Sequence, residues 1–181
     1  MRLPTLETER LLLRPFSLAD ASDVQRLAGN RAIADTTLNI PHPYEDGMAE
    51  DWISTHQPGF ETGELVVFAA ALRGEGELAG AVGLTINSAF CRAELGYWIG
   101  EPFWGLGYCT EAATRVVKHG FAELKLNRIH ASHLSRNPAS GRVLQKIGMS
   151  KEGIARRHIK KWDKYEDLVL YGLLCEEFSP H

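Results

Sequence analysis

The sequence predicts one mixed α/β domain, of the α+β kind, in which helices flank a mainly antiparallel sheet of about six to seven strands. Three observations predict it. Two apolar runs, Leu65 to Leu72 and Leu78 to Ile86, are separated by Arg73-Gly74-Glu75-Gly76-Glu77, which marks a β-hairpin. Glu94 to Leu124 reads as a strand to Ile99, a loop with three glycines from Gly100 to Tyr108, and an amphipathic helix from Thr110. Asn127 to Leu134 then alternates as a further strand, so the helix before it is a right-handed crossover between parallel neighbours.

The remaining elements follow in order. Leu11, Leu12 and Leu13 between two arginines form a short first strand, and Ser17 with Asp20 makes a capping box. Leu18, Ala21, Val24, Leu27 and Ala28 follow helical spacing until Gly29 stops the helix. Asn30 to Asp35 is a second short helix, and Ile40-Pro41-His42-Pro43 is extended because residues before proline avoid the helical region. Tyr44, Met48, Trp52 and Ile53 mark a helix from Tyr44 to His56 that stops near Pro58. The crossover helix buries Ala113, Val116, Val117, Phe121 and Leu124 and exposes Arg115, Lys118 and Glu123. Asn137 as N-cap and Pro138 at the first helical position open the next helix, and Gly148 closes it. Gly153 to Lys161 and Asp167 to Cys175 complete the chain as strands.

Composition bounds the function. A chain of 181 residues with 44% hydrophobic and 24% charged residues fits one globular domain, 1–181. A net charge of -3 argues against a nucleic-acid partner. The start of the chain mixes charges into every short apolar run, and no run approaches the ~18 residues of a membrane span, which predicts a soluble, cytoplasmic protein with no membrane partner. Cys91, Cys109 and Cys175 are odd in number and widely spaced, which supports neither disulfides nor zinc and fits a reducing compartment. His130 and His133 point to opposite faces of one strand and make a poor metal pair, so no metal is implied.

Trp104-Gly105-Leu106-Gly107-Tyr108-Cys109 offers consecutive backbone N–H groups at a helix N-terminus, an anion cradle suited to pyrophosphate. It is not a dinucleotide fingerprint, because Thr110 occupies the third glycine position of G-x-G-x-x-G. The stretch resembles the acetyl-CoA-binding turn, Q/R-x-x-G-x-G/A, of the GNAT superfamily of N-acetyltransferases, with Trp and Cys departing from the pattern at its ends. W-G-x-G-Y followed by T-E-A, together with T-L-E-T-E-R-L-L-L-R-P-F, R-N-P-A-S-G-R-V-L-Q-K-I-G-M and Y-E-D-L-V-L-Y, resembles the RimJ/RimL branch, which acetylates ribosomal-protein N-termini. The resemblance covers nearly the whole chain.

The resemblance implies a sheet splayed between its fourth and fifth strands, with a β-bulge in the fourth and acetyl-CoA, the co-substrate, in the opening. Backbone groups of Tyr97, Trp98 and Ile99 would pair with the pantetheine arm, and residues Trp104 to Thr110 would hold the pyrophosphate. Asn137 would contact the cofactor, although a cap alone explains it. Ser140 would protonate the leaving thiolate. The N-terminal helices would wall the acceptor side, with Trp52 and His56 facing substrate or Trp52 simply packing the core. Glu94 is the candidate base, acting through water; the alternative is a surface carboxylate paired with Arg92 or another cation. RimL-type proteins carry a Glu nineteen residues after that Ser, where this chain has Ile159. Cys109 at a helix N-terminus would suit an acetyl-cysteine relay, but family members with Ala or Gly there transfer directly.

The predicted function is acetyl transfer from acetyl-CoA to a primary amine, with a protein N-terminal α-amine first among acceptors. Small-molecule amines (amino sugars, polyamines, aminoglycosides, amino-acid derivatives) are the alternative within the class, and a non-catalytic acyl-CoA sensor the alternative outside it. Arg156, Arg157, His158, Lys160 and Lys161 would recognise an acidic acceptor or form a solvated strand and turn. The chain is expected to act as a monomer or homodimer.

Overall fold

The computed structural model describes residues 3–179. Strands β1 (Leu6–Glu7), β2 (Leu11–Arg14), β3 (Leu65–Leu72), β4 (Leu78–Asn87), β5 (Arg92–Ile99), β6 (Arg128–Leu134), β7 (Ser150–Lys161) and β8 (Lys164–Leu174) form one sheet in the order β1-β2-β3-β4-β5-β6-β8-β7. Helices α1 (Ala21–Ala28), α2 (Arg31–Thr36), α3 (Met48–Ser54) and α4 (His56–Glu61) lie between β2 and β3 in the chain, α5 (Tyr108–Ala122) joins β5 to β6, and α6 (Pro138–Lys146) follows β6. The predicted fourth and fifth strands are therefore β5 and β6, because β1 precedes them unforeseen.

The sheet separates two cores. Val82, Leu84, Ala93 and Leu95 pack with Ala113, Val116 and Val117 of α5 and Leu144 of α6. Ala79, Ala81 and Trp98 pack on the opposite side with Val24, Leu27, Ile33 and Ile53 of α1 to α3. A sheet covered on both faces explains why β3 and β4 read as continuous apolar runs.

Among the described residues, the β5–β6 pair alone is parallel, and it is short. Pairing covers Arg92↔Arg128, Ala93↔Ile129 and Glu94↔His130, and residues 95–99 have no partner on that side. The expected bulge is absent: β4 and β5 keep an unbroken register from Asn87↔Arg92 to Gly80↔Ile99. The opening therefore arises where β5 and β6 diverge along their length, as twisted strands do when nothing holds their ends together.

Local chemistry accounts for two other differences. The segment predicted as one helix from Tyr44 to His56 is two, α3 and α4, and Pro58 does not stop it but sits in the first turn of α4. Proline is tolerated there because first-turn N–H groups have no intrahelical acceptor. The last two strands begin earlier than expected and meet at Trp162-Asp163, both at positive φ (47° and 63°), the geometry of a tight hairpin turn.

Candidate active site

The β5–β6 opening forms a cleft of about 340 Å³ lined by Glu94, Tyr97, His133 and Ser140, with Trp52 and the Thr36 to Ile40 loop on one wall. Strand alternation divides its chemistry between the two faces of the sheet. Glu94 shares a face with Trp98, toward α1 to α3, whereas Tyr97 shares the other with Leu95, toward α5 and α6. Glu94 sits at the last paired position, opposite His130 and Thr85, with its side chain exposed. It makes no ion pair among the described residues, so the alternative of a carboxylate paired with Arg92 or another cation is not formed. The imidazole of His130 beside it is lowered in pKa, first by burial and against the pull of the Glu94 charge.

Across the opening, the Tyr97 hydroxyl lies 2.8 Å from Ser140 Oγ and donates to the Ser140 carbonyl at 3.2 Å. Burial raises the Tyr97 pKa, so the phenol is neutral and a donor at any working pH. Ser140 is in the first turn of α6, where its N–H donates to Asn137 Oδ1 at 3.3 Å. Asn137 caps the helix as expected, and its Nδ2 also donates to Thr36 O at 3.0 Å, tying α6 to the far wall. Both ends of the Asn137 amide are thus engaged within the protein. His133 turns Nδ1 onto Leu134 O at 2.7 Å. No sequence pattern signalled the Tyr97 hydroxyl, since it meets Ser140 across 43 residues.

Trp52 lines the cleft, with Phe16 and His56 packed edge-to-face against it at 5.1 and 4.4 Å between ring centroids. His56 is buried behind the wall rather than facing the cleft, neither ring nitrogen has a partner among the described residues, and burial lowers its pKa to about 4. Lys161, read in the sequence as one of a basic cluster, is buried and donates to Thr37 O and Leu38 O, so it supports the wall loop from behind. Arg156 and Arg157 instead border a separate depression beside Asp167. Ile159 faces Glu166 across β7 and β8, and that carboxylate accepts from Arg136 at 2.9 Å.

The glycine loop sits where β5 ends. Gly105 (φ 76°) and Gly107 (φ 86°) occupy the left-handed region, which lets the chain turn sharply into α5. Among the described residues, none of the backbone N–H groups from Gly105 to Thr110 donates to a protein acceptor; the first that does is Glu111, to Gly107 O at 3.1 Å. This run of free donors at the positive end of α5 fits a pyrophosphate, and hence the nucleotide half of acetyl-CoA. Trp104 and Leu106 are largely exposed, Tyr108 and Thr110 half-buried. Trp104 Nε1 donates to Ile99 O at 2.6 Å, so that carbonyl, expected to be free for the pantetheine arm, is already taken; Tyr97 and Trp98 keep the unpaired stretch of β5. Cys109 is half-buried, and burial pushes its thiol up to about 12 rather than down. No helix among the described residues is long and apolar enough to cross a membrane, and no group of acidic, His and Cys side chains among them is arranged to hold a metal.

Comparison with known proteins agrees with this geometry. The family described as acetyltransferase (GNAT) domain matches residues 10–150. The probable N-acetyltransferase YjcK of Bacillus subtilis is 38% identical over 93% of this chain and 96% of its own length. The putative ribosomal N-acetyltransferase YdaF, also of Bacillus subtilis, is 32% identical over 84% of this chain and 76% of its own. RimL, a ribosomal L7/L12 alpha-N-protein acetyltransferase solved with coenzyme A, superposes with a TM-score of 0.87 at 16% identity, over 94% of this chain and 98% of that one, a likeness that shows the fold.

Proposed function

The chain belongs to the GNAT acetyltransferase family, and on that premise we propose that its acceptor is a protein N-terminal α-amine, acetylated directly in the β5–β6 cleft. The observation that carries this reading is the division of the cleft. Glu94 lies on the face of the N-terminal helices and the Tyr97–Ser140 pair on the other, so a group entering between them meets a carboxylate from one side and hydroxyls from the other.

Acetyl-CoA supplies a thioester whose carbonyl carbon takes the amine lone pair; a C–N bond forms, the C–S bond breaks, and one proton must leave nitrogen while another reaches sulfur. Glu94 is positioned to take the first proton, through water. Ser140, held by Tyr97, is positioned to give the second. The N–H run from Gly105 to Thr110, at the end of β5, holds the pyrophosphate, and the unpaired edge at Tyr97 and Trp98 aligns the pantetheine arm.

The acceptor follows from the base. Deprotonating an α-amine of pKa ~8 at pH 7 costs about 1.4 kcal/mol, against about 4.6 kcal/mol for a lysine of pKa ~10.4. One exposed carboxylate suits the smaller task, and a relative named as a putative ribosomal N-acetyltransferase supports the same acceptor. The test is thiol release from acetyl-CoA against peptides with free Ala, Ser or Met N-termini, lysine peptides with blocked N-termini, polyamines and aminoglycosides. Release with free N-termini alone is expected. Release with small amines alone overturns the acceptor, and silence across the panel with binding of acetyl-CoA intact favours a sensor.

A further inference from the structure

The glycine cradle carries no cation of its own: Trp104 to Cys109 contains none. Its neighbour is Arg10, from the turn between β1 and β2. Arg10 Nη1 donates to Leu106 O at 2.9 Å, while Nε and Nη2 each reach Glu111 Oε2 at 2.7 Å. Glu111, in the opening turns of α5, also accepts through Oε1 from the Arg10 backbone N–H at 2.8 Å and from Thr8 Oγ1 at 2.6 Å. The guanidinium lies 4.6 Å over the Tyr108 ring. One carboxylate and one guanidinium thus join the first hairpin, the loop and the start of α5.

We propose that Arg10, braced by Glu111 and Thr8, is a positioning residue that presets the cradle for pyrophosphate, an assignment resting on the reading of residues 105–110 as the pyrophosphate site. In a trans peptide the C=O and N–H point in opposite directions. Holding the Leu106 carbonyl toward Arg10 therefore turns the Gly107 N–H the other way, into the cradle. The restraint matters because Leu106 sits between two left-handed glycines, Gly105 and Gly107, whose backbones permit many other orientations of that peptide. A loop already set in its binding conformation loses less entropy on binding. Arg10 acts by geometry rather than net charge, since Glu111 neutralises it. A lysine, with a single ammonium, cannot donate to Leu106 O through one nitrogen while two others converge on Glu111 Oε2, as this fork does.

The test is calorimetric affinity for CoA, for 3′-dephospho-CoA and, by competition, for S-acetylpantetheine, which lacks the pyrophosphate, in the wild type and in Arg10→Gln, Arg10→Lys and Glu111→Gln. Expected is a rise of about 10-fold in Kd for CoA and dephospho-CoA alike in all three variants, with S-acetylpantetheine within about two-fold of wild type. The double variant Arg10→Gln/Glu111→Gln should bind CoA no more weakly than the worse single, because the two act as one unit. Unchanged CoA affinity in Arg10→Gln, rescue by Arg10→Lys, or equal weakening toward S-acetylpantetheine overturns the assignment. A wild type that binds CoA no better than S-acetylpantetheine overturns the cradle reading itself, and the assignment with it.

Discussion

Tyr97 and Ser140 come from different layers, one from the unpaired end of β5 and one from the first turn of α6, and their oxygens lie 2.8 Å apart across the cleft. Serine is a weak acid, so its usefulness depends on where its single proton points. A neutral phenol that donates to Oγ, or to the neighbouring carbonyl, restricts that choice.

Ser140→Ala should lower kcat by about 100-fold, the lower end of what one general acid contributes, while calorimetric affinity for acetyl-CoA changes little. Tyr97→Phe should lower kcat by less, and in the double variant the Tyr97 change should add almost nothing, since its effect is exerted through Ser140. Steady-state kinetics on the four proteins decides this; independent, multiplicative losses would show that the two hydroxyls act separately.

Glu94→Gln keeps the shape of the side chain and removes the base. With the amine below saturation, kcat/KM should fall by about 100-fold at pH 7, and the deficit should shrink as pH rises and the amine deprotonates unaided. A pH profile of kcat/KM for wild type and variant, taken from pH 6.5 to 9.5, checks it. A constant deficit across that range would mean that Glu94 positions the acceptor and takes no proton.

How far the sequence revealed this site depends on the range of the interaction. The Asn137-Pro138 cap and the glycines at 105 and 107 are local devices, each needing only its neighbours, and the structure places them as read. Strand β1 is two residues long and offers no periodicity to detect. The Tyr97–Ser140 contact and the Arg10–Glu111 pair, 101 residues apart, depend on sheet order, which no window of sequence contains. The division of α3 from α4 and the regular register of β5 were missed for another reason: Pro58 can stop a helix or start one, and a bulge depends on its partner strand.

Cys109 stands at the start of α5, where dipole arguments favour a thiolate, yet burial dominates and pushes the thiol up to about 12. Its sulfur is therefore protonated and unreactive at neutral pH. Iodoacetamide at pH 8 should label the exposed Cys91 and Cys175 well before Cys109 in the native protein, as peptide mass spectrometry would show. Cys109→Ala should retain most of the wild-type kcat, and no acetyl group should accumulate on Cys109 when acetyl-CoA is supplied without acceptor. A trapped acetyl-cysteine would establish the relay in place of direct transfer.

His56 makes the folded state lose stability as pH falls. Buried beside Trp52 and Phe16 with neither ring nitrogen partnered, it titrates at about 4 in the folded chain against 6.5 when unfolded. The native state therefore disfavours the proton that the unfolded state accepts: its full contribution is present above pH 6.5 and is lost as pH falls toward 4, a loss of up to about 3 kcal/mol. His119, lowered chiefly by burial and with Nδ1 unpartnered, adds in the same direction. His56→Phe would fill the same aromatic cluster, remove two unpartnered buried nitrogens and eliminate this titration. Urea unfolding at pH 7.5 and at pH 5 should show the variant at least as stable as wild type at the higher pH and more stable by about 1 to 2 kcal/mol at the lower, the remaining pH dependence coming from other groups. Parallel losses between the two pH values in both proteins would mean that His56 finds a proton acceptor in the folded state.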